Sequence, residues 1–267
     1  MKNRWSDNTS ERTVQQYAAS GIGRDLALRV YTSRLLGQDR RLVLHGGGNT
    51  SVKLWNTDMF GEEVQVLHIK GSGWDMANIE PEGLPAVRLQ PLLKLRHLED
   101  LSDEALVSFE RSTLLDSGAP TPSIETLLHA YLPHRFVDHT HSSAVLSLTN
   151  QPNGEDLCRE VFGDRMGIVP YVKPGFDLAK RAADIFEFRP EVEGLLLLKH
   201  GIFTFGDTAH EAYNRMITAV SLVEERLQQG RRPVFAATSL PARKLPVAET
   251  APIVRGACSL RDESWMD

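Results

Sequence analysis

The run Gly194-Leu195-Leu196-Leu197-Leu198-Lys199-His200-Gly201 constrains this chain more than any other stretch, because it is continuously apolar over the length of one strand. Alternation would mark a strand wet on one face; an unbroken run predicts an interior strand of a sheet, followed at once by residues 202–205. Other strands are predicted at 40–44, from Val52 with Leu54, at 64–70 and at 165–172. Helices are predicted over 10–19, 24–36, 91–115 with Ser102 as an N-cap, 123–132, 144–148, 154–162 and 178–186. Gly21-Ile22-Gly23 breaks the first pair and Gly37 stops the second helix. Thr208-Ala209-His210-Glu211 is a capping box that opens a long helix to Gln229, closed by Gly230.

With 267 residues the chain can bury a substantial core, and 41% hydrophobic against 24% charged content is that of a soluble globular protein. A net charge of -5 and the lack of any Lys/Arg block exclude an overall basic footprint for nucleic acid. Cys158 and Cys258 lie far apart without a Cys-x-x-Cys, so neither a disulfide framework nor a cysteine zinc site is indicated. The first seven residues lack an apolar leader segment, and no apolar run reaches the ~18 residues of a spanning helix. A cytoplasmic protein without membrane partners is expected.

Phe136-Val137-Asp138-His139-Thr140-His141 places two histidines one residue apart at the end of a second apolar stretch. On a strand, residues i and i+2 share a face, so two imidazoles can offer nitrogens to one ion. A three-histidine site with an open position then needs a ligand from elsewhere, and His200, before a glycine at a strand end, stands where one could come from. The alternatives are polar strand ends and, for His200, a ring bonded to backbone. Glu125, in the first helical turn after Pro122, is either a carboxylate favoured there by the helix dipole or a general base beside the metal. His129, one turn later, is either a partner of the site or simply packed. Ser123 is suited to a phosphate oxygen. His45, His68, His97, His134 and His210 have no foreseeable partner.

Two glycine turns lie upstream. His45-Gly46-Gly47-Gly48-Asn49-Thr50-Ser51 lets backbone approach a ligand while Asn49, Thr50 and Ser51 supply donors, or it is a flexible hairpin loop. Lys70-Gly71-Ser72-Gly73 is an anion cradle or an ordinary turn with a solvated lysine. Neither is a nucleotide fingerprint.

Taken in order, Gly48-Asn49-Thr50-Ser51, Lys70-Gly71-Ser72-Gly73, Pro122-Ser123-Ile124-Glu125, His139-Thr140-His141 and Lys199-His200-Gly201 resemble the class II aldolase/adducin family, which includes fuculose- and rhamnulose-phosphate aldolases. The match runs over residues 42–226. Residues 26–32 and 45–53 further resemble the aldolase half of bacterial bifunctional rhamnulose-1-phosphate aldolase/short-chain dehydrogenase proteins, here without the dehydrogenase half. The resemblance implies an α/β fold: a three-layer α/β/α domain over residues 1–230 with a mixed, largely antiparallel sheet, usually assembled as a homotetramer. It implies zinc held by His139, His141 and His200, with Glu125 beside the metal as acid/base. Phosphate would be held by groups at Asn49, Ser72, Gly73 and Ser123, beside Thr50 and Lys70.

The activity so implied is cleavage of a ketose 1-phosphate, a small sugar phosphate, to dihydroxyacetone phosphate and an aldehyde such as lactaldehyde. Another metal lyase of the family, a dehydratase or decarboxylase, is one alternative; a non-catalytic adducin-like interaction domain is another, although that branch loses the histidines this chain keeps. An unrelated hydrolase using His-x-His does not account for the ordered motifs. Three departures matter. Ile124 stands where simple aldolases carry a second serine, so either Lys70 compensates or the substrate differs. Residues 150–167 do not match the segment bearing the tyrosine that protonates the leaving aldehyde. A glutamate rather than an aspartate at 125 speaks against the pentulose-phosphate epimerases. Residues 231–267, rich in Pro, Arg and Ala, read as a tail or linker with one short helix over 247–258.

Overall fold

Two N-terminal helices, α1 (Asp7–Ala18) and α2 (Arg24–Gly37), meet at the Gly21-Ile22-Gly23 break, and Ser6 caps the first by accepting from the Thr9 N–H. A hairpin of β1 (Asn49–Thr57) and β2 (Glu63–Ile69) follows, then β3 (Ala86–Arg88), α3 (Leu89–Lys94), α4 (Asp103–Ser112) and α5 (Thr126–Tyr131). The second half runs β4 (Phe136–Thr140), α6 (Ser143–Thr149), α7 (Gly154–Phe162), β5 (Met166–Val169), α8 (Phe176–Phe188), β6 (Gly194–Leu197), β7 (Gly201–Gly206) and α9 (Ala209–Gln228). This computed structural model describes residues 1–229 and 246–258, and the chain divides into Met1–Gln229 and Gly230–Asp267. In the second unit α10 (Val247–Cys258) forms where a short helix was expected; the rest of the expected tail, and the Gly230 helix stop, lie outside the described residues.

Among the described residues seven strands make one sheet in the order β3-β2-β1-β4-β7-β6-β5, antiparallel throughout except for the parallel β5–β6 pair. Strand side chains alternate between faces, and the two faces carry different cores. Leu67, Val137, Leu195, Leu197, Phe203 and Phe205 pack under α3, α4, α5 and α8. Val52, Phe136, Leu196 and Ile202 pack under α1, α2, α6, α7 and α9. The result is the expected three-layer α/β/α domain with β6 buried on both faces, as its unbroken apolar run requires. No described helix is long and apolar enough to cross a membrane.

Six expected elements differ: β1 begins at Asn49 rather than Val52, the helix expected over 123–132 begins at Thr126 so that Glu125 is its N-cap and not in its first turn, and four more are altered. Residues 40–44 form a turn, because the Asp39 carbonyl accepts from the N–H groups of Leu42 and Val43 and its carboxylate pairs with Arg41. The helix expected over 91–115 is divided into α3, a short 3-10 turn at Leu95–His97 and α4; Ser102 caps α4 by accepting from the Ala105 N–H, and so begins a helix inside the expected span. β5 stops at Val169 because Pro170 cannot donate to the ladder. β6 stops at Leu197, where the chain turns back into β7.

One buried carboxyl has no apparent structural use. Glu110 of α4 is fully buried, neither of its oxygens has a hydrogen-bond partner, and burial raises its pKa from the ordinary 4.5 to about 8. The Tyr131 hydroxyl is likewise buried and unpartnered. The folded chain therefore keeps a proton that the unfolded chain releases above its lower pKa, and stability falls as pH rises from about 4.5 to about 8. The slope from this one group is at most ~1.4 kcal/mol per pH unit. Glu110→Gln should remove that slope and stabilise the protein at pH 8 but not at pH 4.5, as read by denaturant midpoints across the range; parallel curves for the two proteins would contradict it.

Candidate metal centre

The centre is built where the end of β4 meets the β6–β7 hairpin. β4 pairs with β7 so that His139 lies opposite Phe203 and Thr140 opposite Ile202; on its other side β4 pairs with β1, which puts Asn49 opposite His139. His139 faces the α5 layer, with Phe203 stacked on it at 4.1 Å between ring centroids. β4 ends at Thr140, so His141 lies just beyond the strand, yet the two Nε2 atoms stand 3.0 Å apart. His200 closes the three-residue loop Leu198-Lys199-His200 between paired Leu197 and Gly201, with Lys199 at φ 62° in the left-handed region that such loops use. Its ring comes within 5.1 Å of His139 and 5.2 Å of His141, centroid to centroid. A Cβ at Gly201 would sit 2.5 Å from the Thr140 carbonyl and 3.0 Å from the His139 ring, so glycine is what lets this hairpin lie against the histidine pair.

Glu125 completes the cluster. Its Oε2 is 3.3 Å from His139 Nε2 and its Oε1 is 3.2 Å from His200 Nε2. One donor atom from each of the four residues falls within 4.8 Å of the others. Ligands 2.0–2.1 Å from a tetrahedral ion would be separated by about 3.3 Å, so small adjustments suffice to close the set. The protonation states suit it. His139 Nδ1–H donates to the Ile202 carbonyl at 3.1 Å, leaving the Nε2 lone pair for the cluster. Burial depresses the pKa of all three histidines; for His200, with nearby His139 adding to the effect and Glu125 opposing it, the value falls to about 4. Burial thus favours the neutral form that ligands need. Glu125 Oε1 is buried and accepts no hydrogen bond, a costly state for a carboxylate that a divalent cation would relieve. Three imidazole nitrogens and one carboxylate oxygen therefore fit such an ion.

Around the cluster lies a second set of polar groups. Glu125 is the N-cap residue of α5 but makes no side-chain capping bond, so its carboxylate is directed at the histidines rather than at the helix. Asn49 Nδ2 donates to Glu125 Oε2 at 2.7 Å and to Ser123 Oγ at 2.9 Å. His129 is fully buried, with Nε2 2.6 Å from Asn49 Oδ1 and Nδ1 2.8 Å from Ser51 Oγ. Sequence left His129 open between packing and a role; its spacing of one turn from Glu125 was the available signal. Lys70 Nζ donates to the Gly46 carbonyl at 3.0 Å, and the Ser72 N–H to the Thr121 carbonyl at 2.7 Å, joining the glycine turns to the Ser123 loop. Ser72 and Gly73 are exposed at that junction. Thr50 is not in the cluster: it points to the opposite face of β1, where its hydroxyl bonds Ser33 of α2.

Three other histidines do have partners. His68 lies between the Leu84 carbonyl and Asn56, His134 stacks on Phe205, and His210 packs on Trp5.

The family model for the class II aldolase and adducin N-terminal domain matches residues 27–227. The N-terminal class II aldolase domain of a conserved protein from Thermoplasma acidophilum superposes with a TM-score of 0.76 and 38% identity, covering 85% of this chain and all of that one. A relative from Bacillus subtilis (strain 168), named uncharacterized oxidoreductase YuxG, is 37% identical over 86% of this chain; the chain spans 34% of that relative's length. Methylthioribulose-1-phosphate dehydratase from Yersinia enterocolitica is 29% identical over 48% of this chain and 70% of its own.

Purified protein should bind one divalent cation per chain, and His200→Ala should weaken that binding by more than the ~10–100-fold typical of groups behind the ligands. Gly201→Ala, which removes no ligand, should weaken it too, by displacing the hairpin. Metal titration monitored by calorimetry reads both; unchanged affinity in His200→Ala would remove His200 from the site.

Proposed function

Because the chain belongs to the class II aldolase and adducin N-terminal domain family, we propose that it is a metal-dependent lyase that cleaves a ketose 1-phosphate to dihydroxyacetone phosphate and an aldehyde such as lactaldehyde. The observation that carries this reading is the buried Oε1 of Glu125, without a hydrogen-bond partner, set against three converging imidazoles. Zinc or another divalent cation, held by His139, His141 and His200, would supply Lewis-acid stabilisation of the negative charge left when the carbon–carbon bond beside a ketone breaks.

The chain's own groups do the rest. Glu125 would hold and return the proton at Oε1, the oxygen without a hydrogen-bond partner, whenever that oxygen is not serving the ion. Burial of His139 and Glu125 keeps water from competing for that proton. The phosphate would lie where the turns meet, with Lys70, Ser72, Gly73 and Ser123 as its donors. Lys70 Nζ has one carbonyl partner at Gly46 and three protons to give, which offsets the hydroxyl lost at Ile124. Asn49 adjoins this group through Ser123. A homotetramer in the cytoplasm, acting on a small sugar phosphate, completes the reading.

A dehydratase acting on a ketose 1-phosphate is the second reading, favoured by the Yersinia relative; there the same carboxylate would work in the opposite sense, taking a proton from the carbon beside the ketone before the β-hydroxyl leaves as water. A panel of ketose 1-phosphates, including fuculose and rhamnulose phosphates, should show aldehyde release that a chelator abolishes and added metal restores. Glu125→Gln should lower the rate by about 10²–10⁴-fold. Loss of water without aldehyde release would select the dehydratase; no turnover of any member by metal-replete protein would overturn both.

A further inference from the structure

We propose that His129 is a positioning residue which, acting through Asn49, fixes the carboxylate of Glu125 so that Oε2 is held and Oε1 is left free. The proposal rests on the reading of Glu125 as the acid/base group.

The matching of two repeats brings these residues together. Glu125 and His129 are one turn apart on the α5 segment, a rise of about 6 Å, and Asn49 and Ser51 are two residues apart on one face of β1, a rise of about 6.6 Å. The segment and strand therefore meet twice. Asn49 meets Glu125 and His129 meets Ser51, while His129 also reaches Asn49. All four are buried, and Phe203 packs edge-on against His129 at 5.2 Å.

The proton positions follow from what each atom can do. An ionised carboxylate only accepts, so the Asn49 atom 2.7 Å from Glu125 Oε2 must be the amide nitrogen. The amide oxygen then faces His129, and the Nε2 atom 2.6 Å from it must carry the ring proton. His129 Nδ1 is left as an acceptor, so Ser51 Oγ, at 2.8 Å, is the donor. Glu125 fixes which end of the Asn49 amide faces it, His129 Nε2–H holds the amide that way round, and the Ser51 hydroxyl, able to donate or accept, rotates to donate to Nδ1. A reversed amide would set its oxygen against the carboxylate.

The test uses full-length protein with 15N-labelled histidine rings. Expected is an Nε2–H tautomer for His129, with its proton slow to exchange, in wild type and not in Asn49→Ala. An Nδ1–H tautomer in the wild type would overturn the proposal whether or not any substrate is turned over. On a substrate that is cleaved, His129→Leu should lower kcat about 10–100-fold with little change in KM, the size usual for groups that orient a site from behind. His129→Gln, whose amide N–H can replace Nε2–H, should recover most of that loss. Equal losses in both variants, or a loss confined to KM, would contradict it. If His129→Leu does not fold, Ser51→Ala leaves Nδ1 without a donor and should keep the Nε2–H tautomer while speeding exchange of its proton and lowering kcat; unchanged exchange there with full kcat would also overturn it. Failure to find a substrate, with the Nε2–H tautomer observed, would count against the aldolase reading alone.

Discussion

The candidate centre depends on β7 lying against the end of β4 with no side chain at Gly201. Any Cβ there would meet the Thr140 carbonyl at 2.5 Å, and the strands would have to part just where His139, His141 and His200 converge. Register does the remainder. Because side chains alternate, a slip of one residue between β4 and its neighbours would turn His139 out of the α5 layer and Asp138 into it. The pairing that holds the sheet together is thus the same pairing that brings the donor set to one place.

Burying this many polar groups is expensive, and the structure meets the cost in different ways on the two faces of β4. Behind the site, Asp138 forms a fully buried pair with Arg29 of α2 at 2.6 Å, and the guanidinium also donates to the Ser51 and Val137 carbonyls. Removing one partner of such a pair typically costs about 3–5 kcal/mol, because the other is left charged in the interior. On the site's own face, Lys53 donates to the carbonyls of His129, Leu132 and His134, satisfying the C-terminal end of α5 and fixing the helix that carries His129. Several buried polar atoms accept no hydrogen bond, among them both oxygens of Glu110; the free oxygen of Glu125 differs from these in facing three imidazoles, where an unmet local demand can serve function.

Much of this was legible in the residues, and the reasons for what was not are physical. The unbroken apolar run at 194–198 correctly indicated a two-sided strand, and His-x-His correctly brought two rings together, although His141 lies past the strand end and owes its place to the turn into α6. The turn carrying His200 was not visible, because Lys199 in a left-handed conformation has no sequence signature comparable to a glycine. Pro170 and Ser102 were in plain view as breakers of β5 and of the long helix, yet apolar periodicity across them suggested longer elements. Thr50 shows the limit of motif reading: alternation along β1 sends it to the face opposite Asn49, a fact available once the strand is known to begin at Asn49 rather than at Val52. His129 could not be separated from a core histidine by pattern alone, since its role depends on a contact with a strand 80 residues away.

Function at this centre turns on three imidazoles from two separate segments binding one ion. X-ray absorption at the edge of the metal bound to the purified protein measures this directly. Three imidazole ligands at about 2.0–2.1 Å together with a light oxygen scatterer are expected, and two imidazoles in His200→Ala. A bound metal with fewer than three imidazoles, or an unchanged imidazole count in that variant, would contradict this assignment.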